Sequence, residues 1–211
     1  MLEVTTRATL ERLGTSTLYE AQGKQGAVPG NLRPIDPAAF LAGTALTVRS
    51  RPGDNLALHH AVLLAEEGDV LIIDCGGYSD CGVWGEAMTV AAQHRGISGL
   101  VVDGSVRDVA RITELGFPVF SRGISMGGTT KEDAGVIGAP LAWGALYIET
   151  GDIVVGDADG VVLIKSFELD NVVAAALERE GNEHAMFEAI RTGKTTVELM
   201  GLKPREGTVK N

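Results

Sequence analysis

The chain has 211 residues, of which 45% are hydrophobic and 22% charged, and it carries a formal net charge of −10 with a pI near 4.8. A chain of this size can bury a sizeable core without disulfides or a structural metal. The acidic balance argues against a nucleic-acid partner, because binding to phosphates depends on a basic surface, whereas a small anionic ligand could still be held by one arginine or a metal ion.

The N-terminal part of the chain is expected to alternate between helix, loop and strand. Residues 5–22 read as helical, with leucines on a broken apolar stripe. Residues 23–39 hold three glycines and three prolines and are expected to form a loop. Residues 40–50 alternate like a strand, and residues 55–66 have the spacing of a helix.

Two short apolar runs in the middle of the chain are typical of buried strands. Residues 69–75 (DVLIIDC) and 98–104 (SGLVVDG) are rich in apolar residues and lie next to glycine, as in strands covered on both faces. The first leads through the Gly-rich loop 76–85 into a helical segment at 86–96, and the second leads directly into a helical segment at 106–116. This alternation is typical of an α/β sheet.

The last third of the chain predicts a strand at 118–123, a mobile Gly/Thr-rich segment at 123–135, and a helix at about 167–190 before a polar tail. Three further strands are expected at about 144–149, 153–156 and 160–164. We find no internal repeat and no linker. The prediction is one α/β domain over residues 1–211, with a mixed central sheet and a C-terminal helical extension from about residue 167.

Cysteine usage and targeting signals bear on the compartment. Cys75 and Cys81 are too few for a disulfide framework. The sequence has no CxxC motif and no histidine pair at the spacing of a zinc site. The DADG sequence at 157–160 resembles part of a calcium loop, but the remaining ligand positions read as strand, so a β-turn is expected. The N-terminus lacks the apolar core of a signal peptide, and no apolar stretch approaches the ~18–20 residues of a membrane span. We therefore expect reduced thiols and a cytoplasmic location.

The carboxyl ends of the two buried strands are the places where a ligand is expected. The first junction leads glycines into a helix N-terminus, whose free backbone amides suit an anion such as a carboxylate. If the two strands are neighbours, both junctions open on one side of the sheet. The resulting anion pocket would have the amides of Ala87 and Met88 as its floor and Arg107 and Asp108 as its walls.

Each of these side chains also has a plain structural explanation. Asp108 near a helix start is equally explained by interaction with the helix dipole, and Arg107 by a place on the solvated surface. His59 and His60 lie together on a helix, so at most one can point inward. Lys131 has no apolar pocket in the sequence that would favour a Schiff base. We expect no catalytic role for the two histidines or for Lys131.

Longer segments resemble a known family. Glu86, twenty intervening residues and then Arg107-Asp108 resemble the acidic-x20-Arg-Asp signature of the RraA-like family, and WGE, GLVVDGSVRD and FPVFSRG are similar to its motifs. That family includes the class II 4-hydroxy-4-methyl-2-oxoglutarate / 4-carboxy-4-hydroxy-2-oxoadipate aldolases and the regulator of ribonuclease activity A. The resemblance covers most of the chain, from about residue 15 to residue 164.

The resemblance implies a swivelling β/β/α-type fold, assembly as a homotrimer or homohexamer, and active sites at the subunit interfaces. It implies that Asp108 holds a divalent metal, Mg²⁺ or Mn²⁺, and that Arg107 grips the pyruvyl group of a small α-keto acid, which would lie between the guanidinium and the metal. It also implies a substrate-binding backbone segment formed by Gly85, Glu86, Ala87 and Met88.

The reaction that this implies is a retro-aldol cleavage to pyruvate. Breaking a carbon–carbon bond next to the ketone leaves an enolate, and a metal ion and Arg107 would stabilise its charge. Oxaloacetate forms the same enolate when it loses CO₂, so decarboxylation should share the site. The proton-transfer group is open: family members use acids of a neighbouring subunit, and Glu183 or Glu180, with Glu20 as a further candidate, are the comparable residues. Solvated helix charge explains each of these acids equally well.

Two other functions compete with the aldolase. A non-catalytic regulatory binding protein, like the regulator of ribonuclease activity A, would keep the fold without turnover. The region after residue 164 favours the aldolase, because regulator-type members look shorter there. A quinone methyltransferase is not favoured, since the sequence lacks a Gly-rich strand–loop followed by an acidic ribose ligand.

Overall fold

The computed structural model describes residues 2–29 and 31–203 and shows a mixed sheet flanked by helices. The helices are α1 (Val4–Ala21), α2 (Leu56–Leu64), α3 (Glu86–His94), α4 (Val109–Glu114), α5 (Leu169–Arg191) and α6 (Thr196–Leu199). The strands are β1 (Arg33–Pro34), β2 (Leu41–Arg49), β3 (Asp69–Asp74), β4 (Gly82–Trp84), β5 (Gly99–Val106), β6 (Val119–Ile124), β7 (Val136–Ile137), β8 (Leu141–Trp143), β9 (Leu146–Ile148), β10 (Ile153–Asp157) and β11 (Gly160–Ile164).

The central sheet combines parallel and antiparallel strands, which confirms the predicted mixed α/β fold. Its order is β1-β6-β5-β3-β2-β10-β11, with β4 beside β5 and β7 beside β2. Strands β2, β3, β5 and β6 are parallel neighbours, and β1 and β10 flank them in antiparallel orientation. The apolar runs at 69–75 and 98–104 are therefore adjacent strands in the centre of the sheet.

Both faces of these central strands are covered, as their continuous apolar sequence predicts. Along β3, Leu71 and Ile73 pack toward the cluster formed with α2, α3 and α4. Val70 and Ile72 alternate with them and belong to a second cluster on the opposite face, with residues of β6, β8, β9 and β11. This two-residue alternation is the pleat of a strand buried on both sides.

The sheet curls until it is nearly closed. Phe120 of β6 lies against Gly156 of β10, although β5, β3 and β2 separate them in the sheet. A Cβ built on Gly156 would lie 2.8–2.9 Å from the Phe120 ring, and Phe120 is completely buried. Glycine at this position lets the two strands approach across the interior.

Helices α1 and α5 pack together on the outside of β10 and β11 and enclose a third apolar cluster. The predicted helix at 5–22 is interrupted at Gly14, whose φ of 72° and ψ of 162° lie outside the helical region. The Asp157 carboxylate accepts hydrogen bonds at 2.7 Å from both the amide and the hydroxyl of Thr15, just after this break. Asp157 also pairs with Gly160 across the β10–β11 hairpin, which confirms the β-turn predicted for DADG.

Several predicted boundaries were wrong. Strand β5 continues to Val106 because β4, which lies inside the predicted loop 76–85, pairs with its last residues. Helix α4 therefore begins at Val109 rather than at 106. The strand predicted at about 144–149 is present as the shorter β9, and it pairs in a hairpin with β8, which the sequence did not predict. Within the part of the tail that is described, α6 is helical; the tail after residue 203 lies outside the described residues.

No helix within residues 2–29 and 31–203 is both long enough and apolar enough to cross a bilayer.

Candidate functional site

The two predicted junctions open on the same edge of the sheet. Strands β3 and β5 run parallel with Asp74 opposite Asp103, so the loops that follow them emerge side by side. A pocket of about 250 Å³ lies at this edge. Five residues predicted for the site line it: Gly85, Ala87, Met88, Arg107 and Asp108. The structure thus brings the start of α3 and the end of β5 together around one cavity.

Strand β4 is the element that brings the two junctions into contact. Trp84 pairs with Val106, and the Arg107 amide donates a hydrogen bond to the Trp84 carbonyl at 2.9 Å. The Trp84 side chain is completely buried, and its indole N–H donates to the Thr89 hydroxyl at 2.8 Å. Since this buried anchor fixes the turn before α3, Gly85 is held directly beside Arg107.

Asp108 adopts a left-handed backbone conformation, with φ of 57° and ψ of 33°. Few residues other than glycine adopt this region, and such conformations concentrate at functional sites. The Asp108 side chain makes no capping hydrogen bond to α4. Its Oδ2 instead accepts a hydrogen bond from the Glu86 amide of α3 at 3.1 Å and lies 3.7 Å from Arg107 Nε. Complementing the dipole of α4 therefore does not explain where this carboxylate points.

Gly85 leaves the space that the Arg107-Asp108 pair occupies. Its φ of −156° is extended and open to any residue. A Cβ at Gly85 would nevertheless lie 2.6 Å from Asp108 Oδ2 and 3.1 Å from Arg107 Cγ. Glycine is required here by close approach rather than by backbone conformation.

The first turn of α3 supplies the expected anion cradle. The first bond of the helix runs from the Thr89 amide to the Gly85 carbonyl; its N-cap residue, Gly85, has no side chain, and Asp108 accepts a hydrogen bond only from the Glu86 amide. The amides of Ala87 and Met88 therefore have no acceptor within the helix, and both residues line the pocket. Glu86 contributes its amide, which bonds Asp108, whereas its exposed carboxylate does not line the pocket.

Besides the β4 residues Gly82, Val83 and Trp84, three polar residues line the pocket that the sequence did not assign to it: Asn55, His59 and Lys131. Asn55 is buried, and its amide nitrogen donates to the Val83 carbonyl of β4 at 3.0 Å. Partial burial of the imidazole, followed by the positive charge of Lys131, lowers the pKa of His59. The hydropathy pattern of the sequence does not indicate these residues, because they reach the pocket only through the contacts of α2 and of the 123–135 segment.

The Gly/Thr-rich segment at 123–135, which the sequence predicts to be mobile, is attached to the buried Asp54. The Asp54 carboxylate accepts hydrogen bonds from the Thr130 hydroxyl at 2.6 Å and from the Glu132 amide at 2.8 Å. Burial alone would raise the pKa of Asp54, but these bonds and one from the Leu56 amide outweigh it and lower the pKa to about 2. Because Lys131 lies between Thr130 and Glu132, this anchor sets its place at the pocket.

The side chains at the pocket could hold a cation only if water or substrate oxygens supplied most of its ligands. Among the described residues, no group of three or more His, Cys, Asp or Glu side chains is arranged to hold a metal ion. Asp108 offers one carboxylate at the pocket, and its Oδ1 has no hydrogen-bond partner within residues 2–29 and 31–203. Mg²⁺ commonly binds through one or two carboxylates, with water and substrate oxygens completing its shell. The donor set fits such an ion and does not fit an all-protein site.

The three candidate acids lie away from this pocket within the chain. Glu180 and Glu183 are on α5 and Glu20 is on α1, and none of them lines the pocket. Glu183 pairs with Arg179 at 3.0 Å. A role for Glu183 would therefore have to come from a second copy of the chain, as the sequence resemblance implies, and it stays a prediction.

Cys75 and Cys81 are free and buried. Burial, and then the negative charge of Asp74, raises the pKa of Cys75 to about 12. Burial likewise raises the pKa of Cys81. Both groups are thus held as neutral thiols at physiological pH.

Known proteins with similar sequences match most of the chain. The family model RraA-like (Aldolase/RraA) matches residues 15–163. A Halalkalibacterium halodurans protein, provisionally named a 4-hydroxy-4-methyl-2-oxoglutarate aldolase, is 36% identical over 176 residues, which cover 83% of this chain and 84% of the relative. The family match contains the whole pocket, whereas α5 lies beyond its end.

Solved structures show the same fold. A Pseudomonas syringae pv. tomato protein, described as uncharacterized, has a TM-score of 0.83 and 30% identity, with 92% of each chain covered. RraAS2 of Streptomyces coelicolor, described as an unusual member of the RNase ES inhibitor RraA family, has a TM-score of 0.77 and 26% identity, covering 90% of this chain and 100% of its own. RraA of Thermus thermophilis, described as an RNA-processing inhibitor, has a TM-score of 0.66 and 25% identity and covers 72% of this chain and 92% of its own, which agrees with the shorter regulators that the sequence suggested. RraAS2 covers nearly all of this chain, so length after residue 164 does not by itself separate aldolase from regulator.

Proposed function

The chain belongs to the RraA-like family, and from this membership and the geometry of the pocket we propose that it is a class II, divalent-metal-dependent aldolase. Its substrates would be α-keto acids of the 4-hydroxy-4-methyl-2-oxoglutarate type, which it would cleave to pyruvate. Oxaloacetate decarboxylation would take place in the same pocket, since both reactions pass through the enolate of pyruvate.

One observation carries this proposal: Arg107 and Asp108 face the start of α3 across the missing side chain of Gly85. A carboxylate, a guanidinium and the first turn of a helix meet at one pocket of about 250 Å³. A planar α-keto acid carries negative charge on its carboxylate and, during the reaction, on the enolate that develops at the keto oxygen. The helix amides, the guanidinium and a cation held by the carboxylate would together offset these charges.

The protein residues would share the work as follows. The amides of Ala87 and Met88 would bind the substrate carboxylate at the positive end of α3. Arg107 would hold the pyruvyl group through its planar fork, which matches a planar acid better than a lysine ammonium does. Both contacts fix the substrate so that the breaking bond is oriented for cleavage and charge develops beside fixed donors.

Asp108 is the residue that would hold Mg²⁺ or Mn²⁺, together with water and substrate oxygens. When bound there, the ion would supply a Lewis acid for the keto oxygen. Asp108 has a left-handed backbone conformation, and its Oδ2 accepts a hydrogen bond from the Glu86 amide. Both features orient the carboxylate toward the pocket before substrate arrives.

We further propose that the active protein is a homotrimer or homohexamer, with Glu183 of one subunit completing the pocket of another. The supporting observation is that, among residues 2–29 and 31–203, Asp108 is the only carboxylate-bearing residue that lines the pocket. If a second carboxylate removes the hydroxyl proton of an aldol substrate, it would therefore come from a second copy, and within the chain the imidazole of His59 is the alternative base.

A regulatory binding protein remains the second candidate, supported by the likeness to RraAS2. The two functions differ in turnover: a regulator needs the fold and a surface, whereas the aldolase needs the charges of the pocket.

The test is pyruvate release from 4-hydroxy-4-methyl-2-oxoglutarate and from oxaloacetate, in protein stripped with a chelator and after addition of Mg²⁺ or Mn²⁺. The aldolase proposal expects activity that disappears with the chelator and returns with the ion. Undiminished turnover in excess chelator would contradict metal dependence, and no pyruvate from either substrate under any condition would favour the regulator.

A further inference from the structure

A second cavity continues the pocket along two helices. It has a volume of about 340 Å³, lies between α2 and α3, and shares His59, Ala87 and Met88 with the pocket. Arg107 and Asp108 line the pocket but not this cavity. We name it the α2–α3 groove, and its remaining lining residues are Val62, Leu63, Ala91, His94 and Arg95. The groove therefore leaves the pocket on the side away from the charged pair.

The lining of the α2–α3 groove is mostly apolar. Ala87 and Ala91 are one turn apart on α3, so their methyl groups line the groove where longer side chains would fill it. Val62 and Met88 are buried, at 7% and 5% exposure, whereas Leu63 of α2 is 65% exposed. A large apolar side chain left in water beside a binding pocket indicates a place where an apolar part of a ligand can be buried.

The groove is long enough for a chain and does not repel an acid. Ala87 and Arg95 are eight residues apart, which is about 12 Å along α3 at the rise of an α-helix. Among residues 2–29 and 31–203, no acidic residue lines the groove, and His94 and Arg95 lie at the C-terminal end of α3. Partial burial, followed by the charge of Lys131, lowers the pKa of His59, so the neutral imidazole is favoured where pocket and groove meet.

We propose that the α2–α3 groove binds an alkyl chain on C4 of the substrate, so that the preferred substrates are 4-alkyl-4-hydroxy-2-oxoglutarates with a chain longer than methyl. This inference rests on the proposed function. With the pyruvyl part held at Arg107 and Asp108, C4 would lie toward His59, where the groove begins. The continuity of groove and pocket, through three shared residues, favours the substrate itself as the occupant.

The reaction is the retro-aldol cleavage already proposed. The C4 hydroxyl loses its proton, the C3–C4 bond breaks, and its electron pair remains as the pyruvate enolate, which takes one proton at C3. C4 becomes the keto carbon of a second 2-oxo acid, and that product carries the alkyl chain. Oxaloacetate has no substituent beyond its second carboxylate, so its decarboxylation does not use the groove.

The experiment measures kcat/KM for pyruvate release from the methyl, propyl and hexyl members of this series, relative to oxaloacetate. Removing a methylene group from water is worth about two- to fourfold, the upper figure applying to complete burial. Over the five methylenes that separate methyl from hexyl, we therefore expect a gain of about thirtyfold or more.

Two variants of α3 test where the chain binds. Ala91→Trp would fill the groove, so the hexyl and methyl substrates should differ by less than about threefold, the worth of a single methylene. Val90→Trp is the matched control, because Val90 is the preceding residue, is 50% exposed and does not line the groove. It should keep the chain-length dependence of the parent. Melting temperature and light scattering are measured on both variants.

The possible outcomes separate this inference from the proposed function. A parent protein that releases no pyruvate from any of these acids overturns the proposed function and this inference with it. An active parent whose kcat/KM stays constant or falls from methyl to hexyl overturns the inference alone, as does a parent-like dependence in Ala91→Trp. Equal losses on all substrates in Ala91→Trp, together with dissociation of an oligomer, would show that a second copy covers the groove and that the inference is wrong.

Discussion

Replacing Gly85 with alanine tests whether the close approach at the pocket matters for activity. The added Cβ would lie 2.6 Å from Asp108 Oδ2, about 0.8 Å short of the 3.4 Å at which ordinary contact begins. Arg107 Cγ would be 3.1 Å away, so the side chains on both sides must move. The backbone can accept alanine, because its φ of −156° is extended.

The size of the effect follows from that displacement. A shift of about 1 Å in a catalytic group can cost on the order of 10²-fold in rate. We therefore expect Gly85→Ala to lower kcat/KM for oxaloacetate by about ten- to a hundredfold and to weaken Mg²⁺ binding. Overpacking should cost about 1–3 kcal/mol of stability, which leaves a folded protein at room temperature.

The control is Gly128→Ala, since a Cβ at Gly128 meets no atom within 4 Å. Steady-state kinetics, metal titration and thermal melting of both variants complete the experiment. Parent-like activity in Gly85→Ala would refute the argument that Asp108 must occupy its observed position.

Three further predictions concern stability and assembly. Asp54→Asn should destabilise the protein by about 1–3 kcal/mol at neutral pH, because an amide cannot accept all three hydrogen bonds. Since the pKa of Asp54 is about 2, below its ordinary 3.8, that difference should be full above about pH 4 and shrink toward pH 2; a constant difference in denaturation would contradict the pKa. Gly181→Ala, in the middle of α5 with open space around it, should raise stability by about 0.5–1 kcal/mol in urea unfolding. Light scattering should show a trimer or hexamer, and an active monomer would exclude a shared pocket.

The central strands and the site could be predicted because their signals are local. Continuous apolar runs at 69–75 and 98–104 indicate strands buried on both faces, and parallel neighbours put their carboxyl ends at one edge. The meeting of Gly85, Ala87 and Met88 with the Arg107-Asp108 pair at one pocket follows from that arrangement. The resemblance to a family then supplied the chemistry that spacing alone left open.

The rest depended on contacts between distant parts of the chain. Strand β4 is three residues long and exists because it pairs with the end of β5, so the 76–85 segment reads as a loop. Lys131 reaches the pocket because Asp54, 77 residues earlier, holds the segment around it. Hydrogen bonds between distant parts of the chain leave no periodic pattern of apolar residues in the sequence.

The adjacent pair Arg107 and Asp108 gives the most direct test of the metal-dependent aldolase. Mg²⁺ titration and pyruvate inhibition should be measured on Asp108→Asn and Arg107→Lys, with melting temperature as control. The account predicts that Asp108→Asn loses both metal binding and turnover. Arg107→Lys should still bind metal while its affinity for pyruvate falls about tenfold to a hundredfold, as expected for losing a charge-assisted contact of roughly 1.5–3 kcal/mol. Parent-like Mg²⁺ binding by Asp108→Asn, or early melting of both variants, would contradict it.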